Sequence, residues 1–74
     1  GLYDSLGEEI FEGDILRQTV GDIDTDFTVV YNSKDGKFQK QFENKGGKIS
    51  LSDFSWVDFE HSELKVIGNV YENN

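Results

Sequence analysis

The chain contains no cysteine, proline or methionine, and it has only one histidine and one tryptophan. Without cysteine, neither disulfides nor a thiolate metal site can stabilise the fold. No apolar run approaches the ~20 residues that a membrane-spanning helix needs, and no signal-peptide pattern is present. The sequence therefore predicts a domain that makes no membrane contact and depends on its own core for stability.

Seventy-four residues are enough for a single domain with a small core, spanning residues 1–74. At this size roughly 60 % of the unfolded chain's surface is buried on folding, so we expect a free energy of unfolding of only a few kcal/mol. Six phenylalanines, three tyrosines and one tryptophan are the aromatic side chains. We expect these rings to supply most of the core.

Acidic residues outnumber basic ones, and the formal net charge is −8. Because phosphate contacts favour basic surfaces, this balance argues against direct binding of nucleic acid. The charge is unevenly distributed: residues 1–32 carry a net charge of −7, residues 33–48 of +3 and residues 49–74 of −4. The middle of the chain is thus its only basic segment.

Turn residues mark the point where the chain first folds back. In the stretch Glu8–Leu16, apolar pairs lie on both sides of Gly13 and Asp14. Glycine accepts backbone conformations that other residues resist, and aspartate can bond its own backbone in a turn. We therefore predict a turn here, followed by a strand over Ile15–Val20, and we expect Gly13 and Gly68 to act through backbone geometry, so that a larger residue destabilises the domain wherever the φ is positive.

The clearest local signal is a hairpin. Two alternating segments, Asp26–Asn32 and Lys37–Glu43, flank an Asp-Gly pair at positions 35–36, which is typical of a two-residue turn. With that pair as the tip, Tyr31 lies opposite Lys40. This register gathers apolar side chains on one face, which we expect to form a wall of the core: Phe27, Val29, Tyr31, Phe38 and Phe42. The stem of Lys40 is expected to cover Tyr31 and to keep its amine in water.

The remaining segments are short and separated by turns. Lys48–Leu51 and Leu64–Ile67 are predicted strands, and a turn or bulge begins at Gly68. The spacing over Ser52–Phe59 does not decide between one helical turn capped by Ser52 and an irregular strand. The pattern predicts an all-β fold, namely a small curved barrel-like domain, SH3-like or OB-like, with five to six short strands and at most one short helical turn.

Two motifs stand at the ends of the chain. Gly1–Asp4 and Glu9–Leu16 lie near the start, and Val66–Asn73 lies near the end. Together, in this order and at this separation, they resemble the YopX-like family of phage and prophage proteins. Residues 17–65 agree with that family only in general character.

The resemblance implies a small β-barrel-like domain that is encoded by phages or prophages and acts in the cytoplasm of the bacterial host. It implies no established biochemical activity. Family members usually have an additional N-terminal segment, and they tend to have proline after the final asparagine, where this chain has Asn74. The first difference leaves open whether a partner-binding segment precedes this domain.

An acidic stretch has the spacing of a calcium loop. Asp22, Asp24 and Asp26 place three carboxylates two residues apart. An EF-hand would need glycine and glutamate where this chain has Phe27 and Ser33. We therefore expect a solvated acidic loop and no bound metal.

Neither the histidine nor the tryptophan indicates a chemical site. His61 stands alone, and no nucleophile elbow is present, so we expect neither catalysis nor a cofactor. Trp56 with Phe54 and Phe59 has the composition of a base-stacking platform. Neighbouring carboxylates would repel phosphate, and we expect these three rings to lie in the core.

Two functions are compatible with the sequence, and both have a protein as partner. The first is a non-enzymatic phage or prophage accessory domain that binds another protein or a second copy of itself. The alternative is an acidic DNA mimic or an inhibitor that occupies a basic host DNA-binding or defence protein. Charged side chains are the candidate partner-binding residues: Asp22, Asp24, Asp26, Lys34, Lys37, Lys40, Asp53 and Asp58.

Overall fold

The computed structural model describes residues 1–71 and shows an all-β fold with one short helix, as the sequence predicts. Two short strands form a separate antiparallel pair: β1 (Leu2–Tyr3) and β2 (Glu9–Ile10). Five strands form the main sheet: β3 (Asp14–Val20), β4 (Ile23–Asn32), β5 (Lys37–Glu43), β6 (Ile49–Asp53) and β7 (Glu63–Asn69). The helix α1 (Trp56–Glu60) lies between β6 and β7 in the chain.

The main sheet is antiparallel, with its strands in the order β6-β5-β4-β3-β7. It is open, because β6 and β7 lie at its two edges and do not pair with each other. The predicted barrel is therefore not closed, and the SH3-like or OB-like assignment is not confirmed. Closure is not needed to cover the apolar face, because Leu2 and Ile10 from the β1–β2 pair and Phe54 before α1 pack against it.

The β4–β5 hairpin forms as predicted, but with a different register. Tyr31 pairs with Phe38, and Val29 pairs with Lys40. The turn has four residues, 33–36, because Asn32 closes it: its backbone oxygen accepts from the Gly36 N–H at 2.8 Å. The shift of two residues preserves the side on which each side chain lies, since side chains alternate with period two. The predicted apolar face is therefore correct, although the predicted pairs are wrong.

The centre of the core is mostly aliphatic, with one phenylalanine in it. Its buried side chains are Ile10, Leu16, Phe27, Val29 and Leu64. Phenylalanines 38, 42 and 54 are only partly buried and pack around this centre. Trp56 is 66 % exposed and Phe59 is 39 % exposed, so the prediction that they lie in the core is wrong. Leu16 of β3 and Leu64 of β7 occupy central inward positions, so most of the aromatic rings lie around them.

The predicted acidic loop is mostly a strand. Residues 21–22 form a tight turn between β3 and β4, and Val20 pairs with Ile23 directly beside it. Gly21 has a φ of +60°, which glycine adopts more readily than other residues. Asp24 and Asp26 lie in β4, where each carboxylate contacts a different side chain of β3. The two carboxylates therefore do not form a common metal site.

The structure resolves the segment that the sequence left open. Residues 56–60 form one helical turn, and its N-cap is Ser55 instead of the predicted Ser52, which lies in β6. The Ser55 N–H donates to Asp58 Oδ2 at 2.8 Å, and the Asp58 N–H donates to the Ser55 carbonyl at 3.1 Å. This reciprocal bonding fixes the start of the helix.

Of the two glycines expected to act through backbone geometry, Gly13 has a positive φ of +90°. Its N–H donates to the Val29 carbonyl at 2.8 Å, so the turn packs on β4. Gly68 lies outside the left-handed region, so the argument from a positive φ applies only to Gly13. It instead follows a bulge in β7, because the register against β3 shifts between Ile15 and Leu16.

Candidate functional site

Two of the predicted partner-binding carboxylates are already paired within the chain. Arg17 Nε and Asp26 Oδ1 are 2.9 Å apart, and Lys37 Nζ and Asp53 Oδ2 are 3.0 Å apart. The hydrogen bond from Arg17 lowers the pKa of Asp26. The pKa of Asp53 is lowered by hydrogen bonds, first from Gln39 and then from Lys37. These exposed pairs engage two of the five carboxylates predicted to bind a partner, and the net charge of the chain remains −8.

Lys40 and Asp58 form a nearly buried ion pair. Lys40 Nζ lies 2.9 Å from Asp58 Oδ1, and the two side chains are only 12 % and 8 % exposed. The prediction that the Lys40 amine stays in water is therefore wrong, because position 40 lies on the inner face of β5. The ammonium is about 6 Å from the centroids of three aromatic rings, within the range of cation–π attraction: Phe27, Phe42 and Phe54.

Asp58 is the centre of a polar network that attaches α1 to the main sheet. Gln18 Nε2 donates to Asp58 Oδ1 at 2.8 Å and to Ser62 Oγ at 2.9 Å. The Ser62 hydroxyl donates to the Asp58 carbonyl. Burial raises the pKa of Asp58, but hydrogen bonds from Lys40, the Ser55 N–H and Gln18 outweigh it, so its pKa lies below the ordinary value. Both Lys40 and Asp58 thus have a structural partner inside the chain.

The other three predicted residues do not form a common site. Asp24 Oδ1 accepts a hydrogen bond from the Thr19 hydroxyl at 2.7 Å. Asp22 lies in the β3–β4 turn and Lys34 in the β4–β5 turn, which are at opposite ends of β4. Within residues 1–71, neither Asp22 nor Lys34 has an oppositely charged side chain within ion-pair distance. The structure therefore distributes the predicted set over several places.

A shallow open groove lies between the N-terminal segment and the end of α1. It is lined by Ser5, Thr19, Gly21, Glu60, His61, Ser62 and Glu63. His61 packs edge-on against Trp56, with ring centroids 5.3 Å apart. In the described part of the chain, no group of three or more His, Cys, Asp or Glu residues is placed to hold a metal ion. None of the helices in residues 1–71 is long and apolar enough to cross a membrane.

The β7 edge of the sheet is sealed by the N-terminal segment. The Ser5 N–H donates to the Leu64 carbonyl at 2.8 Å, and the Leu64 N–H donates to Ser5 Oγ at 2.8 Å. The Val66 N–H donates to Asp4 Oδ2 at 3.1 Å. Residues 4 and 5 thus occupy the backbone groups that β7 directs away from β3.

The buried carboxylate of Asp4 holds this seal in place. It accepts hydrogen bonds from the N–H groups of Leu6 at 2.9 Å and Glu8 at 2.8 Å, in addition to that of Val66. Burial raises the pKa of Asp4, but these backbone donors outweigh the effect and leave its pKa below the ordinary value. The sequence shows this segment only as a turn, and its contact with β7 was not predicted.

The β6 edge is open. Within residues 1–71, β6 pairs only with β5. The Asn44 N–H donates to the Lys48 carbonyl at 3.0 Å, which marks a hydrogen-bonded pair at the start of this ladder. Because such pairs alternate in antiparallel strands, every second residue directs its N–H and C=O away from β5. These residues form what we call the β6 edge: Ile49, Leu51 and Asp53.

Apolar and basic side chains accompany the β6 edge. Ile49 is 54 % exposed and Leu51 is 53 % exposed, and both lie on the outer face of the sheet. Lys45 and Lys48 lie in or beside the turn that leads into β6, and within residues 1–71 neither has a carboxylate within ion-pair distance. An exposed strand with apolar side chains is the feature of this fold best suited to contact another polypeptide.

The two ends of the chain meet in the structure. Asn69 Nδ2 donates to Asp14 Oδ1 at 2.9 Å, and the Val70 N–H donates to the Gly13 carbonyl at 2.8 Å. Leu2 in β1 pairs with Ile10 in β2. The motifs near the start and the end of the sequence thus form one structural unit, as far as Tyr71. The residues of the closing motif beyond it, and Asn74, lie outside the described residues.

Comparison with known proteins identifies the family. No curated protein and no solved structure matches this chain. A family model described as YopX protein matches residues 1–74, which is the whole chain. The match includes both end motifs and the middle of the chain, where the resemblance was only general. The chain therefore belongs to the YopX family.

Proposed function

We propose that this domain is a non-enzymatic accessory module of a phage or prophage protein, and that it binds an extended polypeptide segment at the β6 edge. One observation carries the proposal. The chain seals the β7 edge with Asp4 and Ser5, whereas Ile49, Leu51 and Asp53 leave the opposite edge open. By its family, the domain is expected to act in the cytoplasm of a bacterial host.

An open strand edge is a natural place for strand addition. Its unpaired N–H and C=O groups bind a second extended chain through backbone hydrogen bonds, and alternate side chains supply specificity. Soluble proteins usually protect such edges with a short strand, a charge, a bulge or a covering segment. Here β7 has a bulge and a covering segment, while β6 has two exposed apolar side chains, Ile49 and Leu51. The contrast supports a binding role for β6.

A catalytic role has less support. The hydroxyl of Ser62, the serine next to His61, donates to the Asp58 carbonyl and accepts from Gln18, so it is engaged in the network that holds α1. A nucleophile needs a general base within hydrogen-bond distance. His61 instead packs its ring edge against Trp56.

The acidic DNA mimic also has less support than strand addition. A mimic needs spaced, unpaired carboxylates to complement a basic groove. Asp26, Asp53 and Asp58 each lie within ion-pair distance of a cation of the same chain. Three of the five carboxylates predicted to bind a partner are therefore already engaged within the chain, although its net charge remains −8.

Site-specific photo-crosslinking in bacterial cells tests the proposal. A benzoylphenylalanine at position 49 lies beside the place where an added strand would lie, and the same residue at position 23 serves as the control. Ile23 is 70 % exposed but lies in β4, which is two strands away from β6. We expect a discrete adduct from position 49 that position 23 does not give.

The substitution Leu51→Pro makes the test specific for strand addition. Proline at this position removes an N–H that points away from β5, so the β5–β6 ladder keeps its hydrogen bonds. We expect the adduct from position 49 to disappear while the circular dichroism spectrum stays that of the folded domain. The same adducts from both positions, or an adduct that survives Leu51→Pro in the folded protein, would refute the proposal.

A further inference from the structure

The partner's chemistry follows from the charges around the β6 edge, and this inference rests on the proposed function. We infer that the occupant of the β6 edge is an acidic extended segment of another protein. Its apolar residues lie beside Ile49 and Leu51, and its carboxylates meet Lys45 and Lys48. The occupant is thus defined by alternating apolar residues together with flanking glutamate or aspartate.

The cations of the domain are divided between paired and unpaired ones. Among the described residues, four cations lie near carboxylates, at distances of 2.9, 3.0, 2.9 and 3.9 Å: Arg17, Lys37, Lys40 and Lys65. The others have no carboxylate within ion-pair distance in residues 1–71: Lys34, Lys45 and Lys48. Two of these three lie at the entrance to β6. On a chain with a net charge of −8, this concentration of unpaired positive charge is local to the open edge.

The turn that carries Lys45 and Lys48 is well ordered. Asn44 Oδ1 accepts hydrogen bonds from the Gly46 N–H and the Lys48 N–H, both at 2.9 Å. The Gly47 N–H donates to the Asn44 carbonyl at 3.0 Å, and Gly47 has a φ of +79°. The backbone below the lysines is therefore fixed, so binding an anionic group there does not require the loop to be ordered first.

The apolar part of the partner is defined by the register of β6. Leu51 pairs with Gln41 and Ile49 with Glu43 on the outer face, so the β5 side of this row is polar. Only a strand added beyond β6 can cover the two apolar side chains from the other side. Directly opposite residues of neighbouring strands share a face, and apolar residues there gain from contact with Ile49 and Leu51.

A second copy of the chain fits this surface less well. If β6 paired antiparallel with the β6 of a second copy, Ile49, Leu51 and Asp53 would face the same three residues of that copy. Of these three residues, only Asp53 is acidic. Asp53 is already bound to Lys37 and Gln39. In this pairing the second copy's β6 offers Lys45 and Lys48 no free carboxylate, so an acidic segment of a different chain fits the surface better.

Labelled synthetic peptides test the inference by fluorescence anisotropy at low salt. Three peptides share a core of alternating valine and threonine of about six residues, a usual strand length, and carry glutamate, serine or lysine pairs at both ends. A fourth peptide has the sequence of the acidic one, with N-methyl groups on alternate core amides. The protein variants are Leu51→Pro, Lys48→Glu and the matched control Lys65→Glu, which changes an exposed lysine on β7.

We expect the acidic peptide to bind most tightly and the lysine peptide most weakly. Lys48→Glu should weaken binding of the acidic peptide by about three- to tenfold, because an exposed attractive contact is replaced by a repulsive one. The affinity for the serine peptide should not change. Lys65→Glu should change neither. N-methylation of the acidic peptide should abolish its binding, which tests strand addition with the protein unaltered.

The outcomes separate the two claims. Equal binding of all three unmethylated peptides, together with loss of binding on N-methylation, overturns the acidic partner but leaves strand addition intact. Binding that survives both N-methylation and Leu51→Pro, or no binding of any peptide, overturns strand addition itself. Sedimentation of the protein alone as a dimer that Leu51→Pro dissociates would assign the edge to a second copy and so overturn the acidic partner.

Discussion

Lys40 of β5 and Asp58 of α1 lie 2.9 Å apart in an ion pair that is largely withdrawn from water. The pair joins the only helix of the described chain to the middle of the sheet, and Gln18 of β3 donates to the same carboxylate at 2.8 Å. Such a pair is costly to bury, but it is still more costly to break, since removing one partner leaves an unpaired charge. The position of α1 therefore depends on these two residues.

Removing the carboxylate should strongly destabilise the domain. We expect Asp58→Ala to lower the free energy of unfolding by about 2–4 kcal/mol, because Lys40 loses its counter-ion and the Ser55 N–H loses its acceptor. Urea denaturation monitored by tryptophan fluorescence measures the change. The matched control is Asp53→Ala, whose pair with Lys37 is exposed and screened by water, and there we expect a much smaller loss. Equal losses for the two variants would contradict a special role for Asp58.

The stability of the domain should decrease at acid pH. The pKa values of Asp4 and Asp58 are lowered in the folded state, so their contribution is present above the unfolded Asp pKa of about 4. It is lost as the pH falls through the folded-state values. Denaturant midpoints measured across this range should fall, and Asp58→Asn should reduce the slope. The control Asp22→Asn makes the same change in charge at an exposed turn outside the Asp58 network, and the effect of Asp58→Asn is compared with it.

Gly13 should tolerate no side chain. It has a φ of +90°, and a Cβ there would overlap Cε2 of Tyr71. We expect Gly13→Ala to cost about 2–4 kcal/mol, through backbone strain and displacement of the ring. Gly7 has a φ of +83°, and a Cβ at that position would meet nothing within 4 Å, so Gly7→Ala controls for strain alone. Thermal unfolding compares the two, and equal costs would show that contact with Tyr71 is unimportant.

Much of the sheet could be predicted because alternation is a local property. The apolar face of the β4–β5 hairpin follows from the period of two, and it survives the error of two residues in register. The register itself depends on how the turn is closed, and Asn32 makes those hydrogen bonds: its Oδ1 accepts from the N–H groups of Lys34 and Asp35 at 3.0 and 3.2 Å. Either the Asp35–Gly36 pair or Asn32 could close a turn here. The longer turn, which Asn32 closes, is the one that forms.

The candidate surface could not be predicted, because it depends on the order of the strands. A charged residue is paired or unpaired according to which strand lies next to its own, and the sequence does not show that Lys37 and Asp53 are neighbours. The same holds for the edges, since any of the five strands can be an edge until the topology is known. One signal was present: Lys40 lies on the apolar face of its strand, and a buried lysine usually has an acidic partner.

Amide hydrogen exchange should distinguish the two edges in the free domain. Leu51 and Leu64 are the same residue type and lie in the two edge strands. The Leu64 N–H is bonded to Ser5 Oγ, whereas the alternation of the ladder directs the Leu51 N–H into solvent. We therefore expect slow exchange at Leu64 and fast exchange at Leu51, measured residue by residue by NMR.

The variant Ser5→Ala tests whether the seal itself protects β7. It removes the acceptor for the Leu64 N–H but leaves the Val66 N–H bonded to Asp4, so exchange should accelerate at Leu64 by about tenfold or less and remain slow at Val66. Exchange at Leu51 should not change, because β6 is at the far edge of the sheet. Slow exchange at Leu51 in the free, monomeric domain would mean that β6 is already covered, and the proposed binding edge would then be wrong.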